Sequence, residues 1–472
     1  MMAVKKSRYL EPLKMHSIPV VQKALVAGCG LCGMIASLSL AEQGFEVFLI
    51  EKERELGGNL LKTYYTLEGQ NVQEILTGLI DKIKKNELIK IFSNTEIKEV
   101  SGFVGNFKTR LAEGVIARQS RSNPDTKNEI ASSVATLLPR NDSEYRTPNT
   151  ELESGIIIVA TGAEEYKPTD YLYGQDKRVI TQRELEEKLS LPTSHFPLPA
   201  SVVMIQCVGS RNDEHPYCSR ICCTEAVKNA LKIKELNPKI NIFILHHDIR
   251  TYGMKELYYE KAREAGINFI RHPDEELPII TSENGQLKVM VKDTSLDREL
   301  IINPDLLVLS TGIVPYSSNT QLASQLKVPL NEVGFFLEAH IKLRPVDFTS
   351  SGVYLCGLAH SPKFIDENIS QAKAAVSRAT TILSKDHLEA GGVVASVDKE
   401  KCAVCLTCIR VCPYGVQSIN VEGVAEIEPV KCQGCGICAS QCPAKAIQLQ
   451  QFKDIQIIAE LCETRINANN KA

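Results

Sequence analysis

Lys23-Ala-Leu-Val-Ala-Gly-Cys-Gly-Leu-Cys-Gly33 reads as a short apolar strand that runs into a glycine-rich turn and the start of a helix. Small residues continue the helix to Gln43, Gly44 stops it, and a second strand, Val47-Phe-Leu-Ile50, ends at Glu51, 18 positions beyond Gly33. GxGxxG alone is a weak signal, but strand, glycine turn, helix, strand and acid in this order make a βαβ dinucleotide fingerprint. Gly28 permits the tight turn, Gly30 lets the backbone approach a pyrophosphate, and Gly33 lets the helix pack close to the strand, with the phosphates at the helix N-terminus. Glu51 is expected to accept hydrogen bonds from a ribose. The uncharged run Ala24 to Ala41 is as long as a membrane span of ~18 residues, but its glycines argue for the turn and helix instead.

Residues further along choose the dinucleotide. Gly57, Gly58 and Asn59 complete an E-x5-G-G pattern after Glu51, which flavoprotein disulfide reductase-like folds place beside FAD. Ile156 to Gly162 is an apolar strand ending in Ala160-Thr161-Gly162, and Leu306 to Gly312 repeats it. Gly352-Val-Tyr-Leu-Cys-Gly357 then leads through Pro362 to a small-residue helix beginning near Gln371. These four stations resemble the flavoproteins with two dinucleotide-binding domains, in which the first and last segments contact FAD. FAD is therefore preferred over NAD at Gly28.

The stretch from Ser201 to Asn303 occupies the place of a second Rossmann unit for NAD(P)H. Its strand, Val202 to Gln206, is followed by Cys207-Val-Gly-Ser-Arg-Asn-Asp-Glu-His-Pro216, without the glycines that admit a pyrophosphate, so no nicotinamide site is expected. Instead, Cys207 is followed by Cys218, Cys222 and Cys223 at the start of a helix running to about Lys234. A helix N-terminus favours thiolates, and Arg211 and Arg220 add positive charge. These four cysteines read as ligands of a further cluster, as redox thiols, or as buried small apolar residues. Cys29 and Cys32 form a C-x-x-C inside the phosphate loop, beneath a pyrophosphate rather than an isoalloxazine ring. Cys356 and Cys462 stand singly. His246 and His247 sit at a strand end, where neighbours face opposite ways, and read as solvated or core histidines rather than metal ligands.

Near its end the chain twice spells C-x2-C-x2-C-x3-C-P, at Cys402, Cys405, Cys408, Cys412 and at Cys432, Cys435, Cys438, Cys442. That spacing holds two 4Fe-4S clusters in a bacterial-type ferredoxin, with the fourth cysteine of each run serving the other cluster. The expected sets are Cys402, Cys405, Cys408 with Cys442, and Cys432, Cys435, Cys438 with Cys412. A pair of zinc sites would normally use C-x2-C hooks separated by a longer loop.

At 472 residues, with 43% apolar content, about three domains are expected. A net charge of −3 suggests neither nucleic acid nor an anionic membrane surface. The sequence before Val20 lacks an apolar signal-peptide region, and cluster motifs among 16 cysteines point to a reducing cytoplasm. The expected order is a tail (1–20), the first part of the FAD-binding domain (21–200), a second Rossmann-like domain (201–312), the FAD-binding return segment (313–390), a ferredoxin domain (391–455) and a tail (456–472). Arg118 to Ser154, with one apolar patch at Val134 to Leu138, reads as a polar excursion, and Asp386 to Ala395 as the linker into the ferredoxin module.

Gly102 to Phe107, Val203 to Arg211, Pro216 to Cys223, Asp248 to Gly253 and Phe335 to Pro345 resemble the A subunit of heterodisulfide reductase, over roughly residues 10 to 460. The resemblance implies an oxidoreductase subunit with FAD, active in a complex with heterodisulfide reductase B/C-like subunits or related redox proteins, with ferredoxin, hydrogenase or formate dehydrogenase modules as further candidate partners. In some complexes of this kind the flavin bifurcates an electron pair. Fuller family members carry an N-terminal cluster domain and an inserted ferredoxin, whereas no cysteine lies here between Cys32 and Cys207, so this reads as a shortened form. The function read from the chain is passage of electrons between FAD and two clusters. The alternatives are a passive relay and assembly subunit with structural FAD, and a self-sufficient NAD(P)H-dependent disulfide reductase.

Overall fold

The computed structural model describes residues 2–13, 15–112, 115–116, 145–146, 150–191, 196–283, 285–429 and 431–469. Most of the expected polar excursion, including the patch at Val134 to Leu138, lies outside these residues.

Strands such as Lys23–Ala27 and Ile156–Val159 are apolar at successive positions because both faces of their sheet are covered. They belong to a parallel sheet in the order Val353–Leu355, Ile156–Val159, Lys23–Ala27, Glu46–Ile50, Ile89–Ser93, extended antiparallel by Val115–Ile116 and Tyr145–Arg146. Helices Leu31–Ala41 and Ile365–Leu383 pack side by side on one face, in a core that includes Val26, Met34, Leu40, Ile158 and Val376. The other face lies under Phe107, Leu152, Phe336 and Phe348. Slotting Val353–Leu355 beside Ile156–Val159 brings the return segment, some 300 residues distant in sequence, up to the phosphate loop.

A second parallel sheet runs Val179–Thr181, Leu306–Thr311, Ser201–Val208, Asn241–His246, Asn268–Arg271. It forms a second Rossmann-like unit, but the unit recruits chain from before Ser201. Val179 pairs with Leu307, and Thr181 caps helix Gln182–Ser190 in a reciprocal box with Glu184. Three antiparallel strands, Ile279–Glu283, Gln286–Asp293 and Arg298–Ile302, cover its other face.

The described residues of the segments expected as tails and linker form helices and strands. Met15–Pro19 pairs antiparallel with His387–Gly391, so the chain enters the C-terminal module through a strand. Helix Met2–Ser7 packs on helix Asp454–Asn469, with Lys6 paired to Glu460 at 3.3 Å and Lys453 to Glu11 at 2.6 Å. These pairings join segments remote in sequence, which local pattern does not reveal.

The C-terminal module repeats one unit twice. Short helices Thr407–Val411 and Ile437–Ser440 each follow a left-handed residue, Leu406 and Gly436. Hairpin Gln417–Ile419 with Ala425–Ile427, and the pair Ala395–Val397 with Ile447–Leu449, complete it. Lys327 donates to the Tyr414 carbonyl at 2.8 Å and Lys431 lies 5.5 Å from the Phe103 ring centroid, docking the module on the first unit. Among the described residues no helix is long and apolar enough to cross a membrane.

Candidate functional site

The phosphate loop is held by close backbone packing. Gly28 adopts φ +102°, and a Cβ on it would overlap the Ala160 carbonyl; one on Gly33 would overlap the carbonyl of Gly28 itself. Gly30, by contrast, has nothing within 4 Å of its Cβ position and caps the helix with an extended backbone. Gly57, at φ +127°, donates to the Cys29 carbonyl at 2.9 Å, and Gly58 sits 3.2 Å from Gly30 measured to its Cβ position, so the E-x5-G-G loop folds onto the phosphate loop. Asn59 fastens that loop to the Ala163 carbonyl at 2.9 Å.

These segments wall a cavity of about 600 Å³. Gly28, Gly30, Glu51, Gly58, Asn59, Ala160, Thr161, Gly162 and Gly357 line it, whereas Gly33, Gly57 and Gln371 stand behind the wall. Glu51 accepts from the backbone N–H of Cys29 at 2.6 Å and of Glu53 at 2.9 Å. Burial raises its carboxyl, against those hydrogen bonds. Thr161 Oγ1 is buried with no partner among the described residues. Gln371 accepts from Gly357 N–H at 2.9 Å and so steadies the return segment rather than reaching the cavity.

Lys363, which carries no sequence signal, also lines the cavity. Its Nζ lies 3.1 Å from His360 Nδ1 and donates to Ser361 Oγ at 2.6 Å, and His360 Nε2 meets Glu338 Oε2 at 2.8 Å. Burial pushes Lys363 down to about 8, with Arg220 adding to the effect. At another wall, Lys228 is buried between Glu186 at 2.8 Å and Glu225 at 3.1 Å.

In the C-terminal module, Cys402, Cys405, Cys408 and Cys442 surround one small pocket. Cys438 feels Cys432, Cys435 and Cys412 among its neighbours, after the burial that raises it. Cys442 thus lies near the first three-cysteine run and Cys412 near the second, although among the described residues no three of these side chains stand close enough to hold a metal ion as they are placed. Cys207, Cys218, Cys222 and Cys223 also converge: burial raises Cys207 to about 12, with Cys223 and Cys218 contributing. Helix Cys222–Leu236 starts later than expected, which leaves Cys218 in the preceding loop. Arg220 turns away from this group to Glu367 at 2.6 Å, whereas Arg211 pairs with Asp248 and also reaches Cys207, whose thiol it lowers against burial, and Arg250 stands near Cys218 and Cys223. His246 and His247 are buried, and His247 packs on His272 with ring centroids 4.3 Å apart.

Where a second glycine loop would stand, Gly209 is covered by the Tyr166 ring, which His215 meets edge-on at 5.8 Å. Cys29 is buried with its thiol raised by burial and by Glu51, and Cys32 packs beside Cys356.

Two Rossmann-like units around a dinucleotide cavity, with a dicluster ferredoxin docked on the first, define an iron–sulfur oxidoreductase subunit of the electron-transfer type. A family described as NAD(P)-binding Rossmann-like domain matches residues 26–73, and the 4Fe-4S dicluster domain family matches residues 395–457. The chain is 34% identical to the A subunit of H(2):CoB-CoM heterodisulfide,ferredoxin reductase from Methanothermobacter marburgensis, over 98% of this chain and 79% of that one. It is 32% identical to the iron-sulfur A subunit of CoB–CoM heterodisulfide reductase from Methanocaldococcus jannaschii, over 97% and 79%. Among solved structures, T. acidophilum thioredoxin reductase aligns with a TM-score of 0.49 at 16% identity, over 76% of this chain and 97% of that one. The chain belongs to the family of heterodisulfide reductase A subunits.

Proposed function

We propose that this chain holds FAD in the cavity and two 4Fe-4S clusters in its C-terminal module, and that it moves electrons between them as a subunit of a cytoplasmic heterodisulfide-reductase-like complex. The observation that carries this reading is the presence, in one chain, of a glycine-rich cavity bordered by the return segment and of a module, docked beside the same unit, that carries two C-x2-C-x2-C-x3-C-P runs. The residues fit FAD: open space at Gly30 over a helix N-terminus, the unpartnered Thr161 hydroxyl, Glu51 for a ribose and Lys363 for an anionic group. When bound, FAD supplies the exchange between paired and single electrons. Gly28 and Gly33 shape its cradle, Gly57, Gly58 and Asn59 cover it, and Gly357 with Gln371 closes the return side.

Cys402, Cys405, Cys408 and Cys442 hold one cluster in this reading, and Cys432, Cys435, Cys438 and Cys412 the other. For the Cys207 to Cys223 set three readings stand, a further cluster site, a redox thiol group or buried small apolar residues, and iron content tests the first of them. Partners similar to the B and C subunits of such complexes would carry the acceptor chemistry. The test is anaerobic purification followed by reductive titration, watching flavin and cluster absorbance together. Coupled reduction of both supports the reading. Zinc without sulfide, or a chain that takes up no flavin, overturns it.

A further inference from the structure

We infer that His360 is a positioning residue: Glu338 holds it as the neutral imidazole protonated at Nε2, and its Nδ1 lone pair then fixes the Lys363 ammonium and the Gln371 amide at the cavity wall. The inference deepens the FAD reading and rests on it only for the identity of the molecule that Lys363 meets.

The hydrogen bonds determine the tautomer. Gly357 N–H donates to Gln371 Oε1 at 2.9 Å, which turns the NH2 end of the same amide towards His360 Nδ1, also at 2.9 Å. Lys363 Nζ approaches that Nδ1 at 3.1 Å. An ammonium and an amide NH2 can only donate, so Nδ1 carries no proton. The ring proton therefore sits on Nε2, 2.8 Å from Glu338 Oε2, which accepts it. Burial would raise Glu338, but hydrogen bonds from its own backbone N–H and from His360 hold it below the ordinary carboxylate range. His360 is lowered by burial and by the Lys363 ammonium, against the pull of Glu338, which keeps it neutral.

Two further acceptors, Ser361 Oγ at 2.6 Å and the Ser361 carbonyl at 3.1 Å, complete the seat of Lys363. The other groups facing it are Arg220 from the second unit, Glu367 from the return helix, Cys32 from the phosphate-loop helix and Cys356. Among the described residues, His360 alone links Lys363 both to the partly buried Glu338 carboxylate and to Gln371, the residue that steadies Gly357. Cavity cation and return segment are thus set by one imidazole, and protonating that ring would place a third donor among two.

The test uses the full chain, purified anaerobically, before and after flavin extraction. Brief pulses of acetic anhydride across a pH series acylate the free amine, and mass spectrometry reads Lys363. In His360→Leu the pH midpoint should fall by roughly one unit or more, because the ammonium loses an acceptor. Glu338→Gln should shift it in the same direction, and His360→Gln, whose amide oxygen can accept, should bring it back towards wild type. An unmoved midpoint in folded His360→Leu overturns the proposal; should that variant not fold, the near-isosteric Glu338→Gln decides it in the same way. Failure of the FAD reading would show separately, as a wild-type chain without flavin whose Lys363 midpoint still responds to His360.

Discussion

Gly33 sits so tightly against Gly28 that a β-carbon on the first would overlap the carbonyl oxygen of the second. The contact joins the first turn of helix Leu31–Ala41 to the end of strand Lys23–Ala27, and it makes two glycines of one motif differ in kind. Gly33 serves packing, whereas Gly30 faces open space.

Gly33→Ala should therefore lower the thermal midpoint and lose flavin together, because the clash is with backbone and not with a side chain that could turn away. Gly30→Val should abolish flavin retention with the cluster absorbance intact, and its melting curve should nearly match that of the flavin-extracted wild-type chain. Absorbance spectra and melting curves of both variants check this. Flavin retained in Gly30→Val would mean that the fingerprint has been misassigned.

How far the sequence could be read follows from how far apart the contributors lie. The phosphate loop and both cysteine runs are encoded by spacing within a few residues, so their roles can be read along the chain. Glu338, His360 and Lys363 become one network only after Val353–Leu355 joins the sheet, and no pattern marks them beforehand. Val179–Thr181 has three residues, too few for a period, and its place in the second sheet depends on Leu306–Thr311. Met15–Pro19 likewise needs His387–Gly391 before it counts as a strand.

Replacing Cys442, which belongs to the second half-motif but borders the pocket of the first, separates crossed ligation from local ligation. Cys442→Ser should cost about four iron and four sulfide per chain and disturb the cluster on Cys402, Cys405 and Cys408. Serine at Cys412 should disturb the other cluster instead. Iron analysis with electron paramagnetic resonance on the two variants distinguishes them, and local ligation would exchange the two outcomes.

Lys363 gives a pH dependence with a definite sign. Burial lowers it to about 8, so the ammonium that favours an anionic dinucleotide is present below that pH and lost above it. Flavin affinity should be level on the acid side and weaken as pH rises through 8, by up to about tenfold per unit. Fluorescence titration of the flavin-extracted chain measures it, and Lys363→Met should flatten the profile.

Lys228 is buried against Glu186 and Glu225, and it also donates to the Tyr65 carbonyl at 3.1 Å. Lys228→Met would leave two neighbouring carboxylates without their cation, at a cost of roughly 3–5 kcal/mol. Burial raises Glu225 to about 7, with Lys228 opposing, so removing Lys228 should raise it further. Denaturant unfolding should show the loss, and it should be smaller under acid conditions that protonate the carboxyls.

NADH and NADPH should not reduce the isolated chain at a useful rate. Hydride transfer needs the nicotinamide held at near-attack distance, roughly 3 to 3.5 Å from its acceptor, by an anchored pyrophosphate. In the second unit the turn after Ser201–Val208 offers no such anchor: the Tyr166 ring covers Gly209, and Arg211 is committed to Asp248. Single-electron exchange with a cluster requires no such contact, so the proposed traffic between a flavin in the cavity and clusters in the C-terminal module would not depend on a nicotinamide pocket. Mixing the anaerobic holoprotein with NADH in a stopped-flow spectrometer should leave the flavin band unbleached on the timescale on which a low-potential reductant bleaches it. Rapid bleaching by NADH would instead point to a self-sufficient reductase, and Tyr166→Ala would then be expected to accelerate it.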